Sequence, residues 1–162
     1  MHPRAAELIA QLKLEPHPEG GYYREIFRSA ELVTPADGRG PRAALTTIYF
    51  LLPAGSVSRW HRVDSTETWN LYEGGPLELL ELDAECRALS RHRLATTVAD
   101  DAAPVCTIAA GNWQAALPLT DYALAGCTVG PGFDFADFEL LADDAARAAR
   151  VRATWSELAA LI

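Results

Sequence analysis

Between residues 22 and 141 the chain repeats one pattern: short runs of alternating apolar and polar residues, each closed by glycine or proline. In residues 22–29, Tyr22, Arg24, Ile26 and Arg28 oppose Tyr23, Glu25 and Phe27. A period of two is the signature of a strand. Residues 43–52 are apolar on both faces, as in a strand buried on both sides. Further strands are expected at 77–83 and 87–94, a hairpin around Ala84-Glu85, and at 105–109 and 112–117, a hairpin around Ala110-Gly111. One more is expected at 122–129, ended by Gly130-Pro131-Gly132. Pro/Gly-rich residues 34–42 and small, acidic residues 95–104 read as loops. Many short strands between such turns predict an all-β sandwich or barrel.

Helical spacing is confined to the two ends. Ala5, Leu8, Ile9 and Leu12 form a stripe after Pro3, a residue suited to a first helical turn, and predict a helix over 3–13 packed outside the barrel. Residues 143–151 are alanine-rich with acids at their start. Thr154 to Glu157 has the pattern of a capping box ahead of Leu158 and Leu161. Between the first helix and the first strand, Pro16, Pro18, Gly20 and Gly21 make a rigid turn, and His17 and Glu19 within it read as solvated loop residues in preference to a segment lining a pocket mouth or a subunit interface.

The chemistry concentrates in residues 55–74, read as strand, turn at Asp64-Ser65, and strand. Val57, Arg59, His61 and Val63 share one face of the first strand, and Glu67, Trp69 and Leu71 one face of the second. His61 and Glu67 are therefore expected to converge from adjacent antiparallel strands, as metal ligands, an acid/base pair or a satisfied buried pair. Arg59 offers forked donors for a carboxylate, phosphate or sugar acid, and Trp69 a ring on which a sugar or base could stack. Glu139, after Phe138, could return a second carboxylate to the same space.

Composition sets outer limits. The 162 residues suit one domain spanning 1–162, and 49% apolar content is ordinary for a globular protein. A net charge of −8 argues against nucleic acid and anionic membrane as partners. No apolar run reaches the length of a membrane span. An odd count of cysteines, 3, with no secretory leader, reads as reduced thiols in the cytoplasm. Cys106 and Cys127 lie in apolar runs and read as packing residues.

Gly55, His61, Glu67 and Gly74 fall on the spacing of the first cupin motif, with Val63 where that motif has a second histidine. Gly111 to Gln114 resembles the second motif, with glutamine in place of its histidine. The blocks at 17–25, 46–52, 61–69, 111–116 and 126–139 come in order and together resemble the DUF985, or cupin-5, family. The resemblance implies a cupin jelly-roll (double-stranded β-helix) barrel with short N- and C-terminal helices, usually dimeric. It also places Gln114 in the site, as a neutral reader of hydroxyls or carbonyls. With Val63 and Gln114 at histidine positions, a metal would find His61, Glu67 and Gln114 at most. The expectation is no cofactor, or weakly held divalent metal.

The function expected is binding of a small carbohydrate-like or acidic metabolite by a homodimer. Chemistry as an isomerase, epimerase or lyase would use His61 as general base and Glu67 as its acid or orienting partner. Some jelly-roll sugar-nucleotide epimerases look similar in using histidine without metal. The alternative is a non-catalytic module that senses a metabolite. A metal-dependent enzyme ranks third, because a facial triad needs two histidines and a carboxylate.

Overall fold

The computed structural model describes residues 1–98 and 101–162. The elements run α1 (Pro3–Leu12), β1 (Glu15–Pro16), β2 (Tyr22–Arg28), β3 (Leu32–Val33), β4 (Arg42–Ala43), β5 (Thr46–Pro53), β6 (Ser58–Val63) and β7 (Thr66–Gly74). They continue with β8 (Leu77–Leu82), β9 (Leu89–Leu94), β10 (Val105–Ile108), β11 (Trp113–Pro118), β12 (Tyr122–Gly130), β13 (Phe138–Leu140) and α2 (Ala145–Thr154). A six-stranded sheet, β1-β2-β5-β12-β7-β10, faces a five-stranded sheet, β13-β6-β11-β8-β9, and β3-β4 form a separate ribbon. Every ladder is antiparallel. This is a two-sheet jelly roll with terminal helices: the alternation predicts the all-β sandwich, and the family resemblance implies the jelly roll.

Period-two alternation sorts side chains between the inner and outer faces. Phe50, Leu52, Trp69, Leu71, Leu79 and Ile108 fill the space between the sheets. On the outer face of the larger sheet, Leu51 and Leu124 meet Ala5 and Leu8 of α1. On the outer face of the smaller sheet, Trp60 and Trp113 are covered by Ala148 and Val151 of α2 and by Leu158 and Leu161 beyond it. Both helices therefore lie outside the barrel, each burying the outer face of one sheet.

Several local expectations change. The strands at 105–109 and 112–117 are not a hairpin: β10 pairs with β7, while β11 lies between β6 and β8 in the other sheet. Likewise β6 and β7 are not neighbours in one ladder. The turn at Asp64-Ser65 carries the chain across the sandwich, so His61 and Glu67 face each other from opposite sheets. The β8–β9 turn is longer than Ala84-Glu85, because Asp83 Oδ1 accepts from the Arg87 and Ala88 amides and holds residues 83–88 together. At the C-terminus, Asp144 caps α2 by accepting from Arg147 N. The expected box at Thr154 does not form; a 3-10 helix, Ser156–Leu161, follows with no side-chain cap. The loop expected at 95–104 includes residues 99 and 100, which lie outside the described residues.

Candidate functional site

A bulge in β6 decides what faces inward. Gln114 lies opposite His61 and Ala116 opposite Ser58, so the 58–61 stretch of β6 has one residue more than the 114–116 stretch it pairs with. Such a bulge reverses the alternation along the strand. Ser58 and His61 consequently both reach the interior, and Arg59, expected on the His61 face, is turned outward. Its guanidinium donates to the Pro18 carbonyl at 2.6 Å, and its amide donates to the Glu19 carbonyl at 2.8 Å. Arg59 thus clamps the 17–21 turn against β6. Gly20, at φ 112°, completes this docking: a side chain there would run into the Val57 carbonyl.

The clamped turn delivers Glu19 and His17 to the interior beside His61. Glu19 Oε1 accepts from Ser58 Oγ at 2.9 Å, and its Oε2 lies 3.3 Å from His61 Nε2 and 3.4 Å from His17 Nδ1. His61 Nδ1 is 2.8 Å from the Arg59 carbonyl, which can only accept, so Nδ1 carries the proton and Nε2 is left toward Glu19. From the opposite sheet, Glu67 Oε2 accepts from Gln114 Nε2 at 2.5 Å, and Gln114 Oε1 accepts from Trp69 Nε1 at 2.9 Å. The Cys127 thiol also hydrogen-bonds Glu67.

Burial dominates the electrostatics. Desolvation pushes both Glu19 and Glu67 up to about 7, and the nearby imidazoles only partly oppose it. The same desolvation lowers His61 and His17 below the usual histidine range. At neutral pH both imidazoles are uncharged, and both carboxyls are poised to release or take up a proton.

These groups form the closed end of a cavity of about 450 Å³. Ile48, Phe50, Val63 and Val129 line its walls, and Phe133, Phe135 and Phe138 its rim. Phe138 stacks on the His61 ring with centroids 5.5 Å apart, and Phe135 on His17 at 6.2 Å. Arg28 also reaches the cavity, but its guanidinium holds Glu25 at 3.0 and 2.7 Å and the Phe133 carbonyl at 3.1 Å.

Of the residues singled out from sequence, His61 and Glu67 line the cavity. Gln114 and Trp69 stand behind Glu67, 1% exposed each, where Trp69 packs on Phe50 and orients Gln114. Glu139 does not return a carboxylate to the cavity. It pairs with Arg62 at 2.8 Å on the outer face of β6, where Arg62 lies 4.7 Å over the Trp113 ring. Glu139 and Arg62 are direct partners in the β13–β6 ladder, one step from His61, which puts them on the opposite face. The sequence reading ranked a pocket-lining role for His17 and Glu19 second to a solvated one, and missed Ser58. The available signal was a histidine and a glutamate in a turn stiffened by Pro18, Gly20 and Gly21.

The donor set does not fit the metal that cupins commonly hold. Val63 supplies no donor, and the Gln114 amide is engaged by Trp69 and Glu67. Among the described residues no group of three or more His, Cys, Asp or Glu side chains is disposed to hold a metal ion.

Comparison with known proteins agrees with this architecture. Residues 6–141 match the family described as Cupin superfamily (DUF985). A hypothetical protein from Leishmania major is 32% identical, with 98% of this chain and 96% of that one covered and a TM-score of 0.84. A protein from Shewanella oneidensis is also 32% identical, with 97% and 93% covered and a TM-score of 0.81. Oxalate decarboxylase from Bacillus subtilis, at 15% identity and a TM-score of 0.58, shares the fold over 91% of this chain and 36% of its own. No curated protein matches. With its motifs, its two-sheet jelly roll and these full-length relatives in agreement, the chain belongs to the DUF985 family of the cupin superfamily.

Proposed function

We propose that the cavity binds a small metabolite bearing hydroxyl or carbonyl groups and that His61 and Glu67 move a proton on it, as an isomerase, epimerase or lyase would. One observation carries this: a buried imidazole and buried carboxyls meet at the closed end of a cavity whose walls are largely aliphatic and aromatic. Groups held near neutrality by burial can both give and take a proton at physiological pH. His61 serves as base through Nε2, the ring position not spent on the Arg59 carbonyl. Glu67, oriented by Gln114, serves as the acid. Of the expected ligand types, the carbohydrate-like one suits the cavity better than the acidic one, because the lining arginine, Arg28, is already paired with Glu25.

The proposal extends to a cytoplasmic homodimer without nucleic-acid or membrane partners. A charge of −8 disfavours polyanions, and the free cysteines suit a reducing compartment. Among the described residues no helix is long and apolar enough to cross a membrane. Ile26 and Phe27 are exposed on β2, whose outer edge, among the described residues, pairs with β1 only at Tyr22 and Tyr23.

The test is deuterium wash-in. Aldoses, ketoses and their amino and deoxy derivatives are incubated with protein in D₂O and followed by mass spectrometry. Deuterium should enter a carbon-bound position of a bound compound and should not enter with His61→Ala or Glu67→Gln. Binding without exchange between about pH 5 and about pH 9 would refute catalysis and leave the sensing module.

A further inference from the structure

We infer that the ligand of this cavity is a compact organic cation, its ammonium set against Glu19 and Glu67 and its apolar body held among the rim phenylalanines. The inference rests on the reading of the cavity as the ligand site and adds the charge of what enters it.

The balance of charged side chains around the cavity is one-sided. Glu19 and Glu67 lie at the closed end, and Glu25 and Asp134 lie nearer the rim. Arg28 is the lining residue with a permanent positive charge, and both edges of its guanidinium are occupied by Glu25 and the Phe133 carbonyl. An entering carboxylate or phosphate would meet acids, with no free cation among the described lining residues to receive it. An entering ammonium would meet oxygens whose protein partners are neutral: Ser58, His17 and His61 around Glu19, and Gln114 and Cys127 around Glu67. Low-dielectric walls focus such a one-signed field.

The rim adds a second, independent preference for a cation. Phe133, Phe135 and Phe138 contact one another edge to face, at 5.0 to 6.0 Å between centroids. Phe135 and Phe138 each give one face to an imidazole, His17 and His61; an alkylammonium seated at the rim meets the remaining aromatic surface, which attracts such groups. His17 adds a further donor at the cavity wall. The His17 side chain is 6% exposed; its Nδ1 accepts from the Glu19 amide at 3.2 Å, which leaves the proton on Nε2, and Nε2 has no hydrogen-bond partner among the described residues. That N–H suits a hydroxyl or carbonyl oxygen carried by the cation. The acids, the rings and the free donor together describe a small amine bearing an oxygen.

Isothermal calorimetry with matched probes tests this. One series is phenethylamine, phenethyl alcohol and hydrocinnamate; a second is hexylamine, hexanol and heptanoate. In each series the amine should bind at least about tenfold tighter than the alcohol, and the carboxylate weakest. Glu67→Gln should erase most of the amine's advantage over the alcohol. Phe135→Leu, at a rim position 53% exposed, should reduce it in part. Equal binding of amine and alcohol, or tighter binding of the carboxylate, overturns the cation assignment and leaves the cavity as a ligand site. Absence of binding by every member of both series overturns the cation assignment and the reading of the cavity together.

Discussion

Replacing Glu67 with glutamine should stabilise the protein, and by an amount that depends on pH. An ordinary glutamate titrates at 4.5, whereas burial moves Glu67 to about 7. Between those values the folded chain keeps a proton that the unfolded chain has released. Wild-type stability therefore falls as pH rises across this window, and the loss is complete above about 7. At about 1.4 kcal/mol for each pH unit, the full cost is about 3 kcal/mol. Glu19 contributes to the raised value, so the pair costs less than twice that amount. Glu67→Gln keeps an oxygen for the Gln114 amide and removes the titration. The lowered imidazoles of His17 and His61 weaken the fold on the acid side, but they do so in both proteins and largely cancel in the difference. Urea unfolding of both proteins should thus give equal stabilities near pH 4, with the variant ahead by about 3 kcal/mol near pH 8. A difference that stays flat with pH, or a variant that falls behind above neutrality, would show that the folded state welcomes the ionised carboxylate and would refute the electrostatic account of the site.

Other consequences are equally direct. Trp69→Phe keeps a ring in the core but strands Gln114 Oε1, and should cost about 1–3 kcal/mol in urea unfolding, with proton transfer reduced as Gln114 loses its orientation. Arg59→Ala should cost only about 1 kcal/mol, yet impair ligand binding measurably, because the guanidinium holds the turn that carries Glu19. Sedimentation should find a dimer, and Phe27→Lys, at a position 52% exposed on β2, should return it to a folded monomer. Titration with Zn²⁺, Ni²⁺, Mn²⁺ and Fe²⁺ should show no near-stoichiometric binding; tight binding lost in His61→Ala would promote metal-dependent chemistry to the leading function.

Fold class was legible because alternation and turn chemistry are local. Each run of period two declares its own inner and outer face, and Gly130-Pro131-Gly132 ends β12 whatever the strand pairs with. Pairing was not legible, because no strand encodes its neighbour. Residues 105–109 and 112–117 carry every local sign of a hairpin, and only the packing of whole sheets sends them to opposite walls. His61 and Glu67 converge as expected, but across the sandwich, which is why both are so thoroughly desolvated.

The misplacement of Arg59 has its origin in strand phase, and it bears on how such sites are built. Alternation counted along β6 from Val57 gives the right face for His61 and Val63 and the wrong one for Arg59, because the bulge inserts a residue between them. Nothing in R-W-H-R announces that insertion; it is read only from the partner strand. Its effect is to exchange a permanent cation for Ser58 at the inner face and to spend the displaced Arg59 on the turn that brings in Glu19. Without the bulge, an inward Arg59 would neutralise the acids and lower their titration toward the ordinary carboxylate range. The raised carboxyls and the uncharged imidazoles at the closed end thus depend on one extra residue in one strand, and on a two-glycine turn from outside the barrel that packs against it.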